Sequence, residues 1–404
     1  MTIKSYDIVI VGAGPAGLLA GLTLGHAGFN VAICGKLPKL AKESLDTRTA
    51  ALFNDSIVML DNLGIWSDLN NYCARIDAIR IVDDMKHLLR GPEMVFNANL
   101  LGLQALGWNV PNSKLVEHLS IANSNLDCCQ LVLGTNVVST KVENEEVIVK
   151  DSTGSTLRAK LLIAADGQHS IVRETTGLKA HKISYMQSAL TTIFQHSRPH
   201  YNISSEFHRP GGPLTVVPLP GNKSSLVWVD TIGAIRKALL LNDDAFVAQL
   251  EKQLHGVLGG IKNLEVRHQF SLATLTANKL ISNRTALIGE AGHAFPPIGA
   301  QGLNLSFRDV AILTEVLTHA GESGLDIGAS GTLQQYQDHR AFDIRLRVWG
   351  IDALNRSLTS TWPGLHIIRS GLSYFVESVP SLKRMLMRAG FSGTTRVPEL
   401  MRKL

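Results

Sequence analysis

The stretch YDIVIVGAGPAGLLAGLTLGHAGFNVAIC, Tyr6 to Cys34, limits the fold more than any other part of the chain. Asp7 to Val11 reads as a buried β-run of strand length. Pro15 to Ala27 has helical spacing with small residues along one side, and a second apolar run ends at Cys34. Between strand and helix, Gly12, Gly14 and Gly17 form GxGxxG. The first glycine permits the tight turn, the second lets a pyrophosphate approach the backbone, and the third lets helix and strand pack closely. Pro15 and Ala16 open the helix, whose positive end then meets the anion. The pattern gains its specificity from this strand–turn–helix setting. Ile8 to Cys34 carries no formal charge, but its six glycines and one proline break it into two short apolar blocks. It therefore reads as neither a spanning helix nor a signal peptide.

A chain of 404 residues suits two closely joined domains. Its 45% hydrophobic and 18% charged residues are those of an ordinary globular protein. The net charge of +5 favours anionic ligands or lipid surfaces. No basic run interleaved with aromatics points to nucleic acid. Cys34, Cys73, Cys128 and Cys129 form no metal-ligand spacing, so free thiols in a reducing compartment and no bound metal are expected.

Two later segments extend the dinucleotide reading. LRAKLLIAADGQHSIVRETTGL supplies a strand, Lys160 to Ala164, ending at Asp166-Gly167, with Ser170 and Arg173 at a helix start. ALIGEAGHAFPPIGAQGLNLSFRD, Ala286 to Asp309, holds four glycines and two prolines before a helical pattern at Leu305, Val310, Leu313, Val316 and Leu317. So much backbone control with so little side-chain chemistry suits a loop that lies against a large cofactor.

The order GxGxxG, DGxxSxVR, GEAGHxxxPxxxQGLNLxxxD resembles the flavoprotein aromatic hydroxylases, the group of para-hydroxybenzoate hydroxylase. Within that group it is most similar to the ubiquinone-biosynthesis hydroxylases. DTRTAALFNDSIVMLDNLGIW, GWNVPNSKLVEHL, GGPLTVVPLPGNKSSLVWV, and Tyr336 with Arg340 carry the likeness nearly end to end. The resemblance implies an α/β fold: an FAD-binding, Rossmann-like domain of the glutathione-reductase type, from about 1–75, 100–180 and 270–340. Interleaved with it would be a mostly antiparallel substrate-binding sheet from 76–99 and 181–269, with a C-terminal helical region at 341–404. FAD would be held by Gly12, Gly14, Pro15, Ala16, Gly17, Arg48, Asn112, Asp166, Gly167, Gly289 and Glu290. Pro297, Gly299, Ala300, Gln301, Gly302, Leu303 and Asn304 would run beside the flavin, where a helix start stabilises reduced, anionic flavin. Gln301 is expected to act through its backbone and His293 to be structural. Asn112 doubles as a helix cap, and Arg173 is either a salt-bridge partner or a cofactor contact.

Tyr185, Gln187, Pro218 and Trp228 are the substrate-side candidates, with core packing as the rival reading for Tyr185, Gln187 and Trp228. The chain departs from the family at Gly35, where an acidic residue usually binds ribose. It also departs at Glu290 for Asp, Ala300 for Gly and Ser306 for Gly, and Glu43 and Asp46 lie too far along to replace the missing acid.

By the resemblance, the enzyme is an FAD-dependent monooxygenase that hydroxylates the ring of a polyprenylated phenol in ubiquinone biosynthesis, through a flavin hydroperoxide. Dioxygen is the co-substrate, and NAD(P)H or a protein donor is a transient reductant. The cofactor carries the hard chemistry, so no catalytic base is named. Alternatives are a hydroxylase or reductase of another aromatic or isoprenoid substrate, or a non-catalytic prenyl-lipid carrier of the same fold. A halogenase would carry WxWxIP, which is missing. A cytoplasmic place is expected, with contact to the inner-membrane surface or to ubiquinone-biosynthesis proteins. Trp362 to Phe391, with Arg369, Lys383, Arg384 and Arg388, is the candidate lipid-facing helix.

Overall fold

Ile8, Val9 and Ile10 are wholly inaccessible to solvent, as a parallel strand covered on both faces requires. The computed structural model describes residues 4–36, 46–85, 91–134, 136–297, 299–359, 371–372, 374–391 and 396–403. The first strand, Lys4–Val11, lies between Val31–Gly35 and Thr156–Ala164, and all three run parallel. Cys129–Leu133 and Thr285–Leu287 extend the parallel sheet on either side. The antiparallel strands Val137–Glu143 and Glu146–Asp151 fold back onto Thr156–Ala164.

Alternation sends Ile8, Ile10, Ile33, Leu161 and Ile163 into one core, beneath the helices Pro15–His26 and Gln301–Glu322. Val9, Val11, Ala32, Leu162 and Ala164 enter a second core on the opposite face. The first helix lies close to the sheet because its contact stripe is glycine. A Cβ on Gly21 would stand 2.2 Å from Ile33 Cδ1.

The second large sheet is antiparallel except at one pairing. Its order is His293–Ala294, His268–Ala277, Ala180–His196, Lys223–Thr231, Leu214–Leu219, Ile203–His208, Ala78–Asp83 and Met94–Asn97. Only Ile203–His208 with Ala78–Asp83 runs parallel. The strand His268–Ala277, which an expected boundary at 270 divides, pairs with Ala180–His196 throughout this sheet. One face packs Phe194, Phe207, Leu214, Val216, Leu226 and Trp228 against Ile235, Phe246 and Leu250 of two helices. The other face looks toward the first domain.

A small sheet of Thr49–Phe53, Gly107–Pro111 and Ala74–Ile76 joins the two bodies. Asn109, fully buried, donates to Pro218 O at 2.8 Å. The helix Ser330–Thr359 follows, and Pro380–Phe391 lies near the C-terminus.

Candidate active site

Val11, Ala164 and Leu287 stand level in register, so three distant loops leave the parallel sheet side by side. At the first, Gly12 has φ +118°, and a Cβ there would lie 2.2 Å from Ala165 O. A Cβ on Gly17 would lie 1.8 Å from Gly12 O. Both glycines are fixed by protein packing. Gly14 differs, because nothing lies within 4 Å of where its Cβ would stand. It caps a helix that begins with Pro15 and receives no side-chain cap, so the first-turn amides keep their donors. Ala16 faces the third loop at Gly289.

The second loop turns at Gly167, φ +80°. Asp166 Oδ2 accepts the Val172 amide at 3.2 Å, while its buried Oδ1 has no partner. Burial pushes this carboxyl up, against hydrogen bonds from Ser170 and the helix amides. Among the described residues Arg173 forms no salt bridge. Its buried guanidinium donates to Ala291 O and to Gln168 O, both at 2.8 Å, and ties the second loop to the third.

The third loop hangs on a buried charge network. Asp309 Oδ2 accepts from the Gly289 amide at 2.9 Å and bonds His293 Nε2 at 2.6 Å. Its Oδ1 accepts from Arg340 Nε at 2.7 Å, and Arg340 pairs in turn with Asp343. Burial opposes charge at Asp309, but His293, Arg340 and the Gly289 amide outweigh it and hold its carboxyl low. His293 is thus structural in its contacts, with Nδ1 buried and unpartnered. Tyr336 donates to Leu287 O at 2.8 Å and fixes the strand end before the loop.

Beyond it, Gly299 takes φ +66° and Ala300 φ +53°, and the helix Gln301–Glu322 starts there without a side-chain cap. Nothing lies within 4 Å of a Cβ built on Gly299 or Gly302. The Gln301 side chain is engaged elsewhere, donating to Gly390 O at 3.0 Å and accepting from Arg347. Asn304 belongs to the frame: it donates to Ala51 O and Ala300 O and accepts from Phe53 N and Ser56 Oγ, leaving its side chain little capacity for a ligand.

Between this wall and the open face of the antiparallel sheet lies a cavity of about 1060 Å³. Arg48, Asn112, Glu290, Pro297, Gly299, Ala300, Gln301, Gly302 and Leu303 all line it. Arg48 forms a two-pronged pair with Asp46 at 2.8 Å and sits 5.0 Å over the Phe270 ring. Asp46 and the burial of Arg48 act in opposite senses on the guanidinium, and the net effect keeps it more firmly charged. Asn112 is the first residue of the helix Asn112–Ser124, and Pro111 occupies the cap position. Its Oδ1 is buried and unpartnered beside the cavity.

At Gly35, a Cβ would press on the Ala13 amide at 2.9 Å, so an acidic side chain would collide with the first loop. Glu43 lies outside the described residues. Glu290 lines the cavity and has the Gln168 amide within 3.5 Å.

The four substrate-side candidates fall elsewhere, and strand alternation explains two of them. Val227 faces the cavity, so Trp228 points the other way, packs on Phe246 at 6.2 Å and donates to Asp230. Thr215 and Val217 face the cavity, so Pro218 lies on the opposite face with Leu214 and Val216. Gln187 donates to Gly211 O at 2.8 Å. Tyr185 bonds Thr274 and Asp352, and burial with Asp352 pushes its hydroxyl up to about 12.

The sheet wall is instead made by residues that sequence reasoning did not single out, among them Thr191, Thr215, Ser225, Phe270, Glu206 and His208. In NISSEFH, Ser204, Glu206 and His208 alternate with Phe207, a signal for one polar and one apolar face. Nothing in that signal marks the polar face as a ligand wall.

Two uncapped helix N-termini, an open position over Gly14, and orphaned oxygens on Asp166 and Asn112 fit a dinucleotide. Its anionic bridge would meet the first helix, its hydrogen-bond donors the two oxygens, and a planar ring the second helix. The thiols of Cys34, Cys73 and Cys129 are pushed up to about 12 by burial, which suits inert core residues.

The FAD binding domain family model matches residues 5–341. Ubiquinone hydroxylase UbiL of Rhodospirillum rubrum is 31% identical, over 99% of this chain and 93% of its own length. The 3-demethoxyubiquinol 3-hydroxylase of Escherichia coli is 28% identical, over 96% and 99% respectively. The p-nitrophenol 4-monooxygenase PnpA of Pseudomonas putida superposes with a TM-score of 0.79, at 17% identity, over 98% of this chain and 100% of that one. An FAD-complexed HpxO of Klebsiella pneumoniae gives 0.76 at 18% identity, over 96% and 99%.

Proposed function

The chain belongs to the FAD binding domain family and is an FAD-dependent monooxygenase, and on that premise we propose that it hydroxylates the aromatic ring of a polyprenylated phenol in ubiquinone biosynthesis. The observation that carries this reading is the shape and lining of the cavity. It is lined by the start of the second uncapped helix and also by Ile79, Ile81, Met94, Phe96, Leu386 and Met387, apolar residues suited to an isoprenoid tail.

Gly12, Gly14 and Gly17 with the amides after Pro15 would hold the pyrophosphate, and Asp166 and Asn112 would accept donors of the sugar or ribityl chain. Ala300 to Leu303 would carry the flavin ring. Reduced FAD supplies dioxygen activation and delivery of one oxygen atom to the ring. The amides at the start of Gln301–Glu322 favour a reduced, anionic ring without a charged side chain. Phe270, Pro297 and Leu303 keep water from the reacting face, and Thr215 offers a hydrogen bond that orients a ring hydroxyl.

Among the described residues no helix is long and apolar enough to cross a membrane. Leu372 and Leu386 line the cavity and are exposed, as are Tyr374, Phe375 and Met385 near them in the chain, with Arg384 and Arg388 close by. We read this region as a peripheral lipid contact through which a tailed phenol enters. Lys383 takes no part, because it is buried and bonds both Glu377 oxygens. Arg369, part of the same expected helix, lies outside the described residues.

The test uses purified protein, a short-chain 2-prenylphenol, a chemical or nicotinamide reductant, and ¹⁸O-labelled dioxygen. The expected product carries one ¹⁸O on the ring, from a protein with a flavin absorption spectrum. Turnover without dioxygen would point to a reductase, and a colourless protein that takes up no flavin would point to a carrier.

A further inference from the structure

We propose that His208, held by Glu206, accepts the ring-hydroxyl proton of the phenol bound in this cavity. The inference rests on the reading that the substrate is a phenol.

His208 Nε2 lies 2.7 Å from Glu206 Oε1, and both side chains line the cavity while remaining about nine-tenths shielded, at 11% and 12% side-chain exposure. Thr215, directly across the strand pairing, lies 3.4 Å from the second carboxylate oxygen. An ionised carboxylate only accepts, so Nε2 carries the hydrogen, and in the neutral imidazole Nδ1 keeps the lone pair. That is the arrangement of a general base whose orientation and tautomer a carboxylate fixes. The other cavity-lining ionisable groups are engaged differently. Arg48 pairs with Asp46, Asp83 accepts the Met85 and Gly91 amides, Glu290 meets the Gln168 amide, and Lys182 and His169 stand exposed.

In the step, the O–H bond of the ring hydroxyl breaks, an N–H bond forms at Nδ1, and the electron pair stays on the phenol oxygen. The ring becomes a phenolate, with charge spread to the carbons beside and opposite the oxygen, where an electrophilic oxygen adds more readily. Glu206 offsets the positive imidazolium, and the proton later returns to product or solvent. Charged groups on the surrounding elements are Asp83 opposite His208 in the parallel pairing and Asp84, which pairs with His255. Arg209 lies over Trp228, Arg80 pairs with Glu93, and Lys383 lies over Phe96.

The experiment measures hydroxylation of a short-chain 2-prenylphenol against pH in wild type and in His208→Gln. At neutral pH the variant is expected to turn over roughly 100-fold more slowly with its flavin content intact. Its rate should recover as pH climbs toward the phenol's own ionisation, about 10. Glu206→Gln, a positioning change, should fall less, in the same direction and with the same recovery. A wild-type rate and profile in His208→Gln would overturn the proposal, and so would a loss uniform across pH. Should His208→Gln lose its flavin, the Glu206→Gln profile decides on the same terms. A wild-type protein that hydroxylates no phenol defeats the parent reading as well, and does so before any variant is compared.

Discussion

One wall of the cavity is made of backbone, whereas the sheet opposite presents side chains. On the first, Gly14, Gly299 and Gly302 leave amides and open surface, and the polar side chains behind them are locked in buried bonds. On the second, Thr191, Thr215, Ser225, Glu206 and His208 project from a regular sheet whose far face is ordinary apolar core. The first wall therefore depends on a rigid support, since amides are aimed only by moving the chain that holds them. The second can change its specificity one residue at a time. Chemistry shared across a family belongs on the first kind of wall, and substrate choice on the second.

Asp309→Asn should separate the walls most sharply. It leaves Arg340 buried with one anionic partner fewer, at a cost of about 3–5 kcal/mol, and it frees the Gly289 loop. Thermal melts should fall steeply and flavin should be lost. A depressed carboxylate stabilises the fold above its unfolded pKa, about 3.9, and that contribution disappears as pH falls through the folded value. The wild type should therefore lose stability steeply below about pH 4, and the variant less so.

Asp166→Asn comes next. Its carboxyl is raised by burial, so at neutral pH its charge works against the flavin-free fold. The variant should melt higher than wild type without flavin, yet bind FAD roughly 10-fold or more weakly, read by fluorescence titration. A drop in both would mean that Asp166 is only a support.

Ala300→Gly should stabilise by about 1 kcal/mol, because Ala300 holds a left-handed conformation that glycine adopts freely. Thr215→Val, on the sheet wall, should change stability by less than about 1 kcal/mol and leave flavin content untouched. It should alter only how efficiently reductant consumption is coupled to hydroxylated product. Loss of flavin from this variant, measured by absorbance, would erase the distinction between the walls.

The same division explains what could be read from the chain alone. Gly12 and Gly17 announce themselves because close backbone approach excludes any other residue, so a motif survives in the letters. Strand alternation likewise foretells that Trp228 has an opposite-facing neighbour, but not which face the ligand occupies. Trp228 and Pro218, expected on the ligand side, face the opposite core for that reason. The His293–Asp309–Arg340 network was invisible as a unit. Its members are spread along the chain from 293 to 340, and only the packing of two helices brings them within bonding distance. Gly35 looked like a missing contact, whereas its close approach to Ala13 gives it a steric reason of its own.

The side-by-side exit of the loops after Val11, Ala164 and Leu287 also has a bearing on biogenesis. A ribosome releases the first of these segments long before the last, and the nest for the prosthetic group is incomplete until Thr285–Leu287 has docked. Uptake of the yellow pigment is thus a late event in the life of each molecule, and a polypeptide halted before that strand would remain colourless.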